Sequence, residues 1–306
     1  MIKESKGVRI FRAVNALVMI ALMIIMLYPL WYILVASFSS NSEVMKTGGS
    51  MLWVRGFTPA AYKAVFRLPT IWSGYRNTLF ILVVGVTVNI ALTAVGGYFL
   101  SRKNVYWSRY IAVAIVFTMY FSGGTIPFYF AVRDLHLDNT LWSLIFPTAI
   151  STYNLIIMRT AFAAIPDSLE ESAKLDGARQ IVILVRIMLP LAMPTISVLI
   201  MYYGVMHWNS WFNAMIFLSD REKFPLQLIL REIALYNTTA DDMAGAAERE
   251  SIGETIQYAS IIVGTLPILT IYPFMQRFFV KGVIIIRHII RQGEIIFARH
   301  RRRKIR

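Results

Sequence analysis

The sequence predicts an all-α integral membrane protein with six transmembrane helices, and three observations carry that class. Hydrophobic residues make up 57% of the 306-residue chain and charged residues only 16%, against about a quarter charged in a soluble domain. Mean hydropathy is +0.57. Six apolar runs, at residues 13–38, 78–100, 110–132, 139–158, 195–218 and 255–274, contain no Asp, Glu, Lys or Arg. Each approximates or exceeds the roughly 20 residues that a helix needs to cross a bilayer.

The first run follows a basic start with Lys3, Lys6, Arg9 and Arg12 against Glu4. Its length exceeds the roughly 7–15 residues of a secretory signal core, so it reads as a retained span with its N-terminus inside. Residues 39–76 then form a polar connection punctuated by Gly48, Gly49, Pro59 and Pro69. Within it, residues 58–66 suit a short amphipathic helix with Pro59 in the first turn. Lys46, Arg55, Lys63, Arg67 and Arg76 are many cations for an exterior loop. The positive-inside bias weakens in long loops, so the remaining loops decide the orientation.

The second run contains Gly85, Gly96 and Gly97, small surfaces where another helix can approach closely. Arg102, Lys103 and Arg109 follow with no acid between them, which marks an inside loop. The third run is interrupted by Ser122-Gly-Gly-Thr-Ile-Pro127. Backbone groups freed there must meet protein or a water-filled path; a simple kink packed on a neighbour is the alternative. The fourth run is kinked by Pro147 and has Tyr153 and Asn154 as polar members.

Between the fourth and fifth runs lies a charged, amphipathic stretch at 164–194 that returns the chain through the cytoplasm. It reads as two short helices separated at Gly177, where a left-handed residue ends a helix without a Cβ penalty. Ser168 with Glu171 fits a capping box, and Asp167 with Glu170 offers the same arrangement one residue earlier. The second helix is expected to stop at Leu189-Pro190, because proline lacks the donor.

In the fifth run, helical spacing places Tyr202, Met206, Asn209 and Asn213 on one face and Tyr203, His207 and Ser210 on the next. Polar groups at membrane depth usually face the bundle interior, so this face either lines a substrate path or joins helices. Trp208 and Trp211 fit a membrane interface. Residues 241–254 carry five acids and one arginine, a balance suited to the exterior. The sixth run contains Pro267 and Pro273, and a strongly basic tail follows. That tail belongs inside, which places both termini on one side.

Several function classes are disfavoured. The net charge of +14 sits at the chain ends and beside apolar runs, not in a basic stripe interleaved with aromatics on a soluble fold. The chain has no cysteine, and His136, His207, His288 and His300 lack ligand spacing. There is no G-x-x-x-x-G-K-[ST] phosphate loop, H-E-x-x-H or G-x-S-x-G motif. Proton- or sodium-coupled carriers commonly need buried ionisable groups that these runs lack. An ion-coupled carrier and a non-transporting assembly subunit remain the rivals to a transport channel energised by another subunit.

Glu171-Ser-Ala-Lys-Leu-Asp-Gly177, nine further residues and Ile187-Met-Leu-Pro190 resemble the EAA loop of binding-protein-dependent ABC importer permeases, with Ser172 in place of the commoner second alanine. Phe121–Pro127, Leu137–Trp142, Trp208–Asn213, Phe224–Glu232 and Tyr272–Gly282 resemble carbohydrate importer permeases of the MalG-like branch, in the subgroup for polysaccharide fragments and complex oligosaccharides. The resemblance covers residues 1–282; the tail at 283–306 departs from it and is given no function.

The resemblance implies a type I ABC importer permease fold with cytoplasmic EAA coupling helices. It implies ATPase coupling through Glu171, Ala173, Asp176, Gly177, Ile187, Leu189 and Pro190. The implied partners are a second homologous permease, two ATP-binding-cassette subunits that hold ATP and Mg, and an extracytoplasmic solute-binding protein. This chain itself would need no cofactor and would not be an enzyme. It would sit as a multi-pass protein in the bacterial cytoplasmic membrane and move an oligosaccharide. Tyr153, Asn154, Tyr202, Met206, Asn209 and Asn213 are the candidate translocation path.

Overall fold

The structure, a computed structural model, describes residues 6–102, 105–236 and 253–270, and every regular element among them is helical. The chain divides into two compact units, Met1–Trp72 with Ile229–Pro267, and Ser73–Leu228 with Ile268–Arg306.

In the first unit, α1 (Lys6–Ser37) runs for 32 residues and is exposed along nearly its whole length, with burial only at its C-terminal end. A helix that is apolar all round matches hydrocarbon rather than water. Helix α2 (Asn41–Thr47) ends at Gly48, whose φ of 54° is left-handed. Helix α3 (Ala60–Arg67) starts directly after Pro59, where the sequence predicts a short helix. Val35, Ala36, Val44 and Met51 form a small core with Tyr32 and Tyr258 packed against it. The Asn41 side-chain oxygen accepts the Glu254 backbone N–H at 3.1 Å, beside the start of α14 (Thr255–Thr270). The remainder of the sixth run (271–274), residues 237–252 with all but the last two positions of the acidic segment 241–254, the 272–282 motif and the 283–306 tail lie outside the described residues.

Most of the 33-residue α4 (Pro69–Ser101) belongs to the second unit. Its glycines are close-approach points, as expected. A Cβ on Gly97 would meet the Met158 side chain at 2.7 Å and the Arg159 backbone N at 3.2 Å, and one on Gly85 would meet His207 at 2.6 Å. The third run is broken between α5 (Ser108–Tyr120) and α6 (Thr125–Asp134), whose axes differ by 120°. Gly124 turns there with φ +84°, an angle a kink in a continuous rod does not reach.

The fourth run departs from the expected single α-helix. Its first half forms two 3₁₀ turns, Leu141–Leu144 and Phe146–Thr148, because Pro147 has no N–H and its ring clashes with the carbonyl four residues back. Helix α7 (Thr152–Ala163) follows at 49°. Then come α8 (Asp167–Leu175), α9 (Gln180–Ile183), a π turn (Leu184–Met188) and α10 (Leu189–Leu191). A bend of 84° leads into α11 (Met193–Trp208), followed by α12 (Phe212–Phe217) and α13 (Leu226–Tyr236). Met158, Phe162, Ile183, Met188 and Leu199 are fully buried where α7, α9 and α11 meet α4.

Among the described residues, α1 and α4 are each long and apolar enough to cross a membrane, and the count reaches five if each of the three bent pairs is one span.

Candidate functional site

The charged stretch at 164–194 folds as two helical pieces around Gly177. Helix α8 begins after Pro166, which makes no side-chain cap bond. Ser168 therefore lies within the helix, and the expected capping box with Glu171 is not formed. Asp167 and Glu170 instead sit in the first turn, where the helix dipole favours negative charge. At the other end, the Gly177 N–H donates to Lys174 O at 3.0 Å and the Ala178 N–H to Ala173 O at 2.9 Å. With φ of +78° at Gly177, this is a Schellman termination. A Cβ there would touch nothing within 4 Å, so the requirement for glycine is one of backbone conformation.

The second piece does not stop at Pro190. The backbone widens into the π turn Leu184–Met188 and continues to Leu191. A π turn is one of the few ways an α-helix absorbs a missing donor. The chain bends at Ala192 instead, whose φ and ψ are −89° and 4°. Ile187 and Leu189 are half-buried and pack on the core beneath, while Pro190 is exposed.

Glu170 and Glu171, adjacent in sequence, have opposite surroundings. Glu171 is exposed, as are Asp176 and Gly177, whereas Ala173 is half-buried. Glu170 is buried and forms an ion pair with Arg102, just beyond the C-terminus of α4. Its other oxygen takes Lys174 Nζ at 2.7 Å. Arg102 also donates to the Phe162 carbonyl in the last turn of α7 at 3.1 Å and to Ser101 Oγ at 3.0 Å. Its guanidinium lies 5.1 Å from the centre of the Tyr98 ring, and the Tyr98 hydroxyl donates to Gln180 Oε1 at 2.5 Å. Burial alone raises the Glu170 pKa, but hydrogen bonds and charge from Lys174 and Arg102 outweigh it and hold the carboxyl below its ordinary value. Removing one partner of such a buried pair typically costs roughly 3–5 kcal/mol.

The candidate path residues divide. Tyr153 and Tyr202 come together, with ring centres 6.4 Å apart, and both are exposed, as is Met206. Asn154 does not join them: it is 5% exposed. Asn209 and Asn213 do not extend the α11 face, because that helix ends at Trp208. The Asn209 amide donates back to Val205 O at 3.0 Å, a local side-chain bond that competes with helix continuation. Asn209 is exposed and Asn213 is half-buried on α12.

Sequence reasoning missed a buried polar network on α4. Asn89 donates its amide to the Thr148 and Ala149 carbonyls, both at 2.8 Å, and its oxygen faces His207 Nε2 at 2.6 Å. One turn along, Thr93 Oγ1 lies 2.7 Å from the Tyr203 hydroxyl, which also accepts the Ser151 N–H at 3.1 Å. The network satisfies the backbone that the break before α7 leaves open, as a low-dielectric surrounding demands. A signal was present: Gly85, Asn89, Thr93 and Gly97 recur every fourth residue and share one helix face.

A long apolar first helix, bent helix pairs and an anchored amphipathic loop between α7 and α11 are features of a multi-helix membrane protein. No protein-family model matches the chain. The protein LplC of Bacillus subtilis (strain 168) is 37% identical over 286 residues, covering 92% of this chain and 96% of LplC. The polygalacturonan/rhamnogalacturonan transport system permease protein YtcP of the same organism is 36% identical over 274 residues, covering 88% of this chain and 94% of YtcP. A crystal structure of a bacterial ABC transporter involved in the import of the acidic polysaccharide alginate contains a chain that matches with a TM-score of 0.83 and 31% identity, over 91% of this chain and all of that one. The chain belongs to the permease family of carbohydrate ABC importers.

Proposed function

We propose that this chain is one permease subunit of an ATP-driven importer of oligosaccharides or polysaccharide fragments in a bacterial cytoplasmic membrane. It forms half of the translocation path and pairs with a second homologous permease. Two ATP-binding-cassette subunits hold ATP and Mg, and an extracytoplasmic solute-binding protein delivers the cargo. The cargo class follows its relatives, since YtcP is named for polygalacturonan/rhamnogalacturonan transport and the solved neighbour imports alginate. The six runs are six spans, and both termini are cytoplasmic. Residues 1–282 form the permease domain, and 283–306 are a basic tail.

The observation that carries the coupling role is the outward face of α8. Leu175 is 90% exposed and lies one turn from the exposed Glu171 on the same face, while the helix is held to its own unit through Glu170. An apolar side chain next to a carboxylate, on a helix that is otherwise anchored, suits docking into a cleft with a basic contact for Glu171. ATP binding closes the ATPase pair, and each cleft carries its docked helix with it. Gly177 sets the turn, and Ile187 and Leu189 seat the second piece, so the motion passes into the spans on either side of the loop. Tyr153, Asn154, Tyr202, Met206, Asn209 and Asn213 remain the path candidates.

Co-purification from native membranes tests this reading. The expected result is a complex with a second permease and an ATPase whose hydrolysis rises when loaded solute-binding protein is added. A chain that purifies alone in mild detergent, or that supports ion-driven uptake without an ATPase, would overturn it.

A further inference from the structure

The proposed coupling route moves the elements joined to the 164–194 loop by the chain itself. The Arg102–Glu170 pair reaches an element that is not joined to it. Sixty-eight positions separate the two residues, and Arg102 follows directly on the last residue of α4. Both side chains are nearly excluded from solvent, at 11% and 8% exposure.

The contact is a multiple one. The guanidinium grips Glu170 on α8, the Phe162 carbonyl on α7 and Ser101 on α4, and it packs on the Tyr98 ring. Tyr98 in turn holds Gln180 at the start of α9. A planar fork with several fixed donors resists rotation better than a single ammonium contact. Lys174, the second cation on Glu170, is half-exposed and lies on the same helix, so it ties α8 only to itself. Glu170 faces this anchor while Glu171, the next residue, is open to a partner. Force applied on the outer face of α8 therefore has a short, buried route into α4.

We infer that Arg102 and Glu170 are positioning residues that make α4 a driven element of the transport cycle, so that the coupling helix moves α4 together with α7 and α9. This rests on the permease reading above. It adds a mechanical connection that the chain's own continuity does not supply, and it assigns a role to Glu170 separate from that of Glu171.

The test uses the complete complex, with second permease, ATPase pair and loaded solute-binding protein, reconstituted in liposomes. Uptake and ATP hydrolysis are measured together for the parent, Arg102→Gln, Glu170→Gln and Arg102→Lys. Assembled Arg102→Gln and Glu170→Gln complexes should hydrolyse ATP while uptake per ATP falls about tenfold, within the usual range of coupling energies. Arg102→Lys should recover part of that loss. Because the chain contains no cysteine, Arg102→Cys with Glu170→Cys offers an addressable pair, and a short bis-maleimide spacer across it should raise uptake per ATP again.

Parent-like uptake per ATP in assembled Arg102→Gln and Glu170→Gln complexes would overturn the inference and leave the permease reading intact. A loss that neither Arg102→Lys nor the spacer reverses would assign the pair to fold stability alone and overturn it too. A parent complex without ATP-driven uptake would defeat the permease reading and the inference with it.

Discussion

His207 on α11 and Asn89 on α4 meet at 2.6 Å inside the second unit. Asn89 gives its amide hydrogens to the Thr148 and Ala149 carbonyls, so only its oxygen faces the imidazole. His207 must then carry its proton on Nε2. One carboxamide thus joins α4, α11 and the open backbone before α7. Replacing Asn89 by alanine leaves two carbonyls and a histidine donor unsatisfied, at roughly 1–3 kcal/mol for each group that stays buried and unpaired. The expected outcome is a clearly lower thermal midpoint in detergent for Asn89→Ala. An unchanged midpoint would show that the network contributes little.

Gly97 is the α4 approach where a side chain would press on backbone, since a Cβ would lie within 3.2 Å of both the Met158 side chain and the Arg159 backbone N. Gly97→Leu should destabilise the second unit by more than the roughly 1–3 kcal/mol usual for overpacking, with Gly97→Ala near the lower end. Unfolding midpoints of the two variants check the order. Equal, small effects would mean that α7 can retreat from α4.

Gly177 makes a contrasting prediction, because its surroundings are empty and only its φ of +78° is demanding. Gly177→Ala should cost about 1 kcal/mol, the penalty for a left-handed L-residue, and Gly177→Asn less. Hydrogen exchange at the Gly177 and Ala178 amides should rise in Gly177→Ala first. Exchange unchanged in both variants would contradict the Schellman assignment.

Acid should weaken the α8 anchor. Burial raises the Glu170 pKa, yet the hydrogen bonds and charges of Lys174 and Arg102 leave it below the ordinary value. The unfolded chain therefore takes up this proton first on acidification. The stabilisation is fully present above the unfolded value and is lost as pH falls through the folded one. The stability gap between parent and Glu170→Gln should hold from neutral pH down to about pH 4.5, the ordinary carboxyl value, and narrow as pH falls below it. A gap that stays constant well below that value would exclude the charge pair as its source.

Much of the architecture is legible in the sequence wherever the cause is local. Length and composition announce the membrane helices, Gly177 announces its own turn, and Ser122-Gly-Gly announces a break, though not its 120° angle. Reasoning fails where it stops at one rule. Pro190 reads as a helix end, but the π turn at Leu184–Met188 absorbs the missing donor. Ser168 and Glu171 satisfy a capping pattern, yet Pro166 precedes the first helical residue. Helical spacing joins Asn209 to Tyr202, but spacing alone does not register where α11 stops. The Glu170–Arg102 and His207–Asn89 contacts link residues far apart in the chain, and no local pattern selects such partners.

Under the proposed function, the 164–194 loop couples a partner's ATP hydrolysis to movement of a saccharide through this chain. The most direct test of that coupling is uptake per ATP hydrolysed in the reconstituted complex carrying Glu171→Lys or Gly177→Pro. Normal membrane insertion, continuing ATP hydrolysis and loss of uptake are expected in both variants. Normal uptake by both would contradict it.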